Sequence, residues 1–583
     1  MTDEWIPNDP TSKRFRLWSR ANAGEVFPDP MTPLTASVGF LDNLEPGWRR
    51  SYIETRMFDE DSFDNTIPHN PVAVFNGFCY INMSLARIFG VRLGVGAQMI
   101  DDAYFGDMPG IPSYESEARP DDVDPAASAR GQEWLAEVAA TTDLARFDAD
   151  RAKVLEVVAA RPDLATLDAE ALLYRLRSFE DLSRHLWHAH LYASTVSGLG
   201  IGGGAAIAAA IGQPELGLVL SSGLGDVDSA MATHDMWPLS RMVASSAHLT
   251  ALFDRLDGDR WPAIQADEHP DAVALTGAVA VFLDRWGFRG PNEWEFRSRT
   301  WGTDPEILMV SLDTMRRAPE SSSPVTRAAA QAAERDAAVA AVRAALAGDA
   351  ETAATFEAQL NIAEQFSRAR ERARMTVALI IHEQRLTANE LGERLVAGGA
   401  FARPELIYML AIDELAAVVG GDGAGAAGPA AQAADRERRY LELFDYVPPF
   451  VIDGDMPPLD TWERRSRAEE LEVLAVGDSL TGIAGAPGSA SGVVRIVLSP
   501  SDPTALQPGE ILVCPITDPA WTPLFLGAAG VVSEVGAPVS HAAIVSRELG
   551  IPAAVSVPKA ISRLRDGMTV SVDGNTGVVT RTA

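Results

Sequence analysis

Between about Trp134 and Val419 the chain is dominated by Ala, Leu, Glu and Arg, with apolar residues three and four apart, as in Ala169-Leu173-Leu176 and Val339-Val342-Leu346. Side chains at that spacing share one face of an α-helix, so this stretch folds by packing helix on helix. After about Gly477 the pattern changes to short β-rich pieces, Gly492–Leu498, Glu510–Cys514, Gly530–Ser533 and Met568–Val572, separated by Gly and Pro turns. The chain has 583 residues, and a single core seldom grows beyond about 250 to 300, so two or three domains are expected. The predicted architecture is multi-domain, α plus α/β. A mainly helical domain covers 1–445 and a linker covers 446–475, where Pro448, Pro449, Pro457 and Pro458 interrupt any helix. A compact β-rich domain with one or two helices covers 476–583. The glycine-rich run Gly420–Pro429 reads as a mobile surface loop.

Acidic residues outnumber basic ones by 81 to 49, a formal charge of −32, which repels phosphate backbones and argues against a nucleic-acid partner. Any phosphate site must then be locally basic or built from backbone N–H groups. Only Cys79 and Cys514 are present, without metal-ligand or redox spacing, and both read as buried small residues. No carboxylate cluster announces a metal site. The N-terminus shows no basic region before an apolar run, and no uninterrupted apolar span of about 18 residues is read, so a cytoplasmic protein without membrane contact is expected.

One histidine stands out by position. The segment His541-Ala-Ala-Ile-Val-Ser-Arg-Glu-Leu549 follows an apolar strand and a short turn, and Leu549-Gly550-Ile551-Pro552 ends a helix in the expected order. His541 therefore falls in the first helical turn, where free N–H groups and the positive helix end favour an anion. A phosphoryl group on imidazole would be such an anion, and imidazole is nucleophilic enough to accept one and pass it on. Yet a lone histidine near a helix start is usually a capping or surface residue, and position alone leaves that reading in front.

The wider string changes the balance: Thr517-Asp-Pro-Ala-Trp521, then Glu534-Val-Gly-Ala-Pro-Val-Ser540-His541 through Arg547-Glu548-Leu-Gly550-Ile-Pro552. With an opening Gly485-Ala-Pro-Gly488 and a closing Gly567-Met-Thr-Val-Ser-Val-Asp573-Gly574, it resembles the phosphohistidine swivelling domain of the phosphoenolpyruvate synthase and pyruvate phosphate dikinase superfamily. The resemblance implies a small β/β/α domain that carries a phosphoryl group on His541 between two sites. Thr517, Ser540 and Arg547 are implied as support for that group.

Upstream, Ser19-Arg20-Ala-Asn22-Ala-Gly24-Glu25 and Arg285-Trp-Gly-Phe-Arg289-Gly-Pro-Asn-Glu293 resemble the helical acceptor domain of rifampicin phosphotransferases. The resemblance makes residues 1–445 the acceptor-binding domain, with Glu25, Trp187, His188, His190, Arg289 and Glu293 as candidate acceptor-site residues. An aromatic pocket and a base within hydrogen-bond reach would suit a phenolic hydroxyl, although aromatic residues on amphipathic helices are core more often than pocket. The stretch before residue 14 is expected to be too short for the family's ATP-grasp domain, and no Gly-x-x-x-x-Gly-Lys-Ser/Thr loop occurs in the sequence given.

That arrangement is similar to the histidine-bearing subunit of phenylphosphate and alkylphenol (4-methylphenyl phosphate) synthases. The resemblance implies a phosphotransferase subunit charged by a separate ATP-grasp-type nucleotide-binding partner that holds ATP and Mg²⁺. It would phosphorylate a phenol or alkylphenol, with AMP and phosphate as co-products. Two alternatives stay open: transfer to a hydroxylated natural product, and a non-enzymatic phosphohistidine regulatory protein. Gly198-Leu-Gly200-Ile-Gly202-Gly203 formally fits a dinucleotide fingerprint, but the preceding residues read as helix, so close helix packing is expected there.

Overall fold

The computed structural model describes residues 5–106, 108, 110–256, 258–421, 428–464, 472–499, 506–517, 521–536 and 540–583. Most of the glycine-rich run expected as a mobile loop, Asp518-Pro519-Ala520 and the Ala537-Pro538-Val539 turn lie outside the described residues. The architecture is a large mainly helical part followed by a small sheet domain.

Two compact units divide the chain, the first comprising 1–195, 294–298 and 372–469, the second 196–293, 299–371 and 470–583. These boundaries differ from one drawn at residue 445. Two of them fall inside long helices, Glu180–Ala210 of 31 residues and Ala350–Ala397 of 48 residues, and no local signal marks a division within an unbroken helix.

In the first unit, four antiparallel strands run in the order Val72–Phe75, Phe78–Asn82, Leu17–Ser19, Val451–Asp453. Asn76 (φ 49°) and Gly77 (φ 85°) make the two-residue turn of the hairpin; both lie in the left-handed region that such turns need. Val451–Asp453 pairs with Leu17–Ser19, with Ile452 opposite Trp18. The proline-rich stretch expected as a linker thus supplies an edge strand. Its partner is remote in sequence, so its strand character was not legible locally.

In the second unit, an eight-stranded sheet runs Ser479–Thr481, Val578–Arg581, Thr569–Asp573, Ser489–Ile496, Ile511–Cys514, Gly530–Ser533, Ala553–Val555, Ile483–Ala486. Ser489–Ile496 through Ala553–Val555 pair in parallel, and the remaining ladders are antiparallel. Val494, Ile511, Val513, Val532, Val570 and Val572 are fully buried at its core. Cys79 and Cys514 are buried free thiols, and burial raises the pKa of both.

The glycine pattern at 198–203 lies within helix Glu180–Ala210. A Cβ at Gly200 would come 2.4 Å from the Ala363 backbone nitrogen, and one at Gly203 would come 2.3 Å from the Gln359 side chain. These glycines let two helices approach closely, and no strand precedes them. Within Ala169–Ala210 one 18-residue window reaches a mean hydropathy of 1.3, enough by length and composition alone to cross a membrane, a test that core helices also pass. Ser, Thr and Gly interrupt it, yet Leu191–Ala210 contains no Asp, Glu, Lys or Arg.

The two kinds of glycine predict opposite outcomes. A Cβ at Gly202 meets nothing within 4 Å, so Gly202→Ala should stabilise the chain by up to about 1 kcal/mol through helix propensity. Gly200→Ala must push against the Ala363 backbone and should destabilise by about 1–3 kcal/mol. Thermal or denaturant unfolding of the two variants decides, and equal shifts would contradict the packing role.

Candidate functional site

Strand Gly530–Ser533 pairs in parallel with Ile511–Cys514 on one side and Ala553–Val555 on the other. Parallel neighbours cannot be joined by a hairpin, and helix His541–Leu549 forms the crossover between the second pair. Thr517 and His541 therefore both follow the carboxyl ends of adjacent parallel strands, the edge where open α/β sheets place their sites. That topology brings together two residues 24 positions apart, with Thr517 Oγ1 3.2 Å from His541 Nδ1.

The other ring nitrogen, Nε2, lies 3.4 Å from Thr522 Oγ1. Phe525 meets the imidazole edge to face at 6.3 Å. Both Thr522 and Phe525 belong to the short helix Thr522–Phe525, so this turn and the Thr517 loop hold the ring from two sides. His541 is 8% exposed and Thr517 2%. Thr522 was not singled out by sequence, although it directly follows the Thr517–Trp521 string.

Ser540 is the N-cap, its Oγ accepting the Ala543 N–H at 3.1 Å, so its hydroxyl fixes the helix start on which His541 stands. Gly550 closes the other end at φ 63°, as the Leu-Gly-Ile-Pro order predicts. Arg547 lies further along, on another face of the helix. It is buried, and its Nε and Nη2 have no hydrogen-bond partner among the described residues. Burial lowers its pKa to about 10, a value at which it remains a cation near neutrality.

Of the acceptor-site candidates, Glu25, Trp187, His188 and His190 lie in the first unit, and Arg289 and Glu293 in the second. Trp187 packs edge to face on Trp294 at 4.7 Å, and His190 meets Trp294 at 5.6 Å. All three are buried, so here they build core by packing on one another. Glu25 is buried in the short helix Ala23–Val26. Arg289 Nε donates to Glu293 Oε2 at 2.7 Å, a buried ion pair within one turn of chain.

His188 Nε2 lies 2.6 Å from Glu54 Oε2, and Arg146 Nη1 donates to Glu54 Oε1 at 2.7 Å. Sequence gave no reason to choose Glu54, because nothing local pairs it with residues so far along the chain. Burial alone would raise the Glu54 pKa, but the hydrogen bonds from His188 and Arg146 outweigh it and pull the value down to about 2. A carboxylate depressed from its ordinary 4.5 contributes stability above that value and loses it as pH falls toward about 2. Glu54→Gln should therefore lower unfolding stability at pH 7 by on the order of 1–2 kcal/mol, after discounting for partial exposure. Denaturant titrations should show this difference closing as pH drops from about 4.5 to 2. A pH-independent difference would rule out the linkage.

Comparison with known proteins gives the site a context. Residues 506–577 match the mobile domain of PEP-utilising enzymes, and residues 190–371 match the fourth domain of rifampicin phosphotransferase. An uncharacterized protein of Mycobacterium tuberculosis is 29% identical over 599 residues, covering 98% of this chain and 62% of its own length. The prodigiosin synthesizing transferase of Serratia marcescens is 30% identical over 336 residues, 57% of this chain and 36% of its own length. The rifampicin phosphotransferase of Streptomyces sviceus is 29% identical over 315 residues, 53% of this chain and 35% of its own length. The chain thus spans at most about 62% of these relatives. His541 lies inside the matched mobile domain and the helical match lies ahead of it, so in these two segments the chain is similar to PEP-utilising enzymes and to rifampicin phosphotransferase.

Proposed function

We propose that this chain is a phosphotransferase component that carries a phosphoryl group on His541 and delivers it to the hydroxyl of a small acceptor. The observation that supports this reading is the imidazole at a capped helix start, with a threonine hydroxyl at each ring nitrogen. Thr517 accepting from Nδ1–H would fix the tautomer and leave the Nε2 lone pair as nucleophile. In charging, Nε2 forms a bond to phosphorus while the bond from phosphorus to the donor's leaving oxygen breaks. In delivery, the acceptor oxygen attacks phosphorus, the P–N bond breaks with its electron pair returning to Nε2, and the acceptor proton passes to a base. Thr522 stands where its hydroxyl could donate to the transferring group, and the helix start favours the added negative charge.

The donor in this proposal is an ATP-grasp-type nucleotide-binding subunit holding ATP and Mg²⁺. The acceptor is a phenol or alkylphenol. A second reading, transfer to a hydroxylated natural product, draws support from the match of residues 190–371 to rifampicin phosphotransferase.

Incubation with phenyl phosphate should give an acid-labile adduct of one phosphoryl group by intact-mass measurement. The adduct should be absent in His541→Ala, and its persistence there would overturn the assignment. The chain alone should exchange phosphate between phenyl phosphate and labelled phenol but use ATP only with its partner. Thr517→Val, nearly isosteric, should slow phosphoryl gain about tenfold, or ~1.4 kcal/mol, in single-turnover experiments.

A further inference from the structure

The carrier helix is engaged at both ends. Its C-terminal turn presents Glu548, 6% exposed, to the loop Leu220–Asp226. Glu548 Oε1 lies 3.4 Å from the Leu224 backbone nitrogen and accepts its N–H, and the Gly223 N–H bonds the same carboxyl. Gly223 (φ 58°), Gly225 (φ 61°) and Asp226 (φ 50°) are left-handed, a backbone shape that turns successive N–H groups to one side. The carbonyls point to arginines instead. Arg335 Nε donates to Leu220 O at 3.1 Å, and Arg368 donates to Leu224 O at 2.6 Å and Gly225 O at 3.3 Å.

Beside this contact, the Gln331 side chain lies over Gly550, where a Cβ would come 2.4 Å from its Nε2. Ser229, Ala230 and Thr233 of helix Asp228–Ser245 line a small cavity with Ile544, Val545 and Glu548 of the carrier helix. Leu220–Asp226, Ser229–Thr233 and Gln331 all belong to the segment matching the rifampicin phosphotransferase fourth domain, whereas Glu548 and Gly550 belong to the mobile domain.

We propose that Glu548, seated on the Gly223 and Leu224 amides, is the latch that docks the mobile domain on the helical segment, and that it must let go for His541 to travel. Only the second clause rests on the carrier role. Glu548 is a positioning residue, since the groups around the imidazole are Thr517, Thr522 and Phe525. The charged groups facing Glu548 are Arg335, Glu371 and, on its own helix, Arg547. Burial, with Glu371 adding to it, pushes the Glu548 carboxyl up to about 7 from its ordinary 4.5. The docked state therefore holds a proton that the released carboxyl gives up, and docking weakens as pH rises from about 4.5 to about 7.

Spin labels at Val325→Cys and Leu498→Cys, both exposed positions, report the separation of the two parts in the full chain without any phosphate donor. The wild-type background should give one dominant distance at pH 5, with a longer population growing by pH 8. Glu548→Ala should populate the longer distances at both pH values, while Glu548→Gln, which keeps an acceptor oxygen, should retain the docked distance and lose the pH response. Gln331→Ala loosens the same contact without touching the mobile domain, so a similar shift there separates latch release from local unfolding. An unchanged distribution in both Glu548→Ala and Gln331→Ala would overturn the latch. Because no phosphoryl donor is present, that result is independent of whether His541 forms the adduct.

Discussion

The site depends on one topological constraint: Gly530–Ser533 and Ala553–Val555 are parallel, so the chain must cross over between them. The crossover helix begins at the carboxyl end of the first strand, which puts His541 at the sheet edge. The neighbouring parallel strand, Ile511–Cys514, delivers Thr517 to the same edge. Each residue follows a strand of a buried ladder whose Val513 and Val532 are fully excluded from water.

Much of this helix was legible in sequence because its signals are local. Ser540 caps, Gly550 turns left-handed and Pro552 prevents continuation, and the observed helix has the bounds those residues imply. The chemistry of His541 was not legible that way, since a helix-start histidine is compatible with a plain cap; only resemblance over the surrounding string favoured a carrier. What sequence missed is long-range. Thr522 meets His541 through the sheet edge, Glu54 meets His188 across the first unit, and Val451–Asp453 finds its partner near the N-terminus. Long helices hid the unit boundaries for a related reason: helical periodicity reports a face, not where one unit gives way to another.

Under the proposed carrier role, the two ends of helix His541–Leu549 have opposing requirements. At its start, the ring must be held firmly enough to orient a nucleophile. At its end, Glu548 and Gly550 meet the loop Leu220–Asp226 and Gln331, an interface that a mobile domain has to leave. A buried carboxyl accepting two amide N–H groups suits reversible docking better than a buried arginine–carboxylate pair. Removing it from amides exposes no orphaned cation, whereas breaking a buried ion pair leaves a charge stranded at a penalty of about 3–5 kcal/mol.

The same preference for amides and hydroxyls over cations fits the chain's charge. With a formal charge of −32, the chain has little basic surface to spare for the phosphoryl transfer proposed above. The start of helix His541–Leu549 and the left-handed loop at Gly223–Gly225 both present backbone N–H groups, the second to the Glu548 carboxyl. The arginines near the loop, Arg335 and Arg368, hold its carbonyls. They shape the backbone and leave the Glu548 carboxyl to the amides.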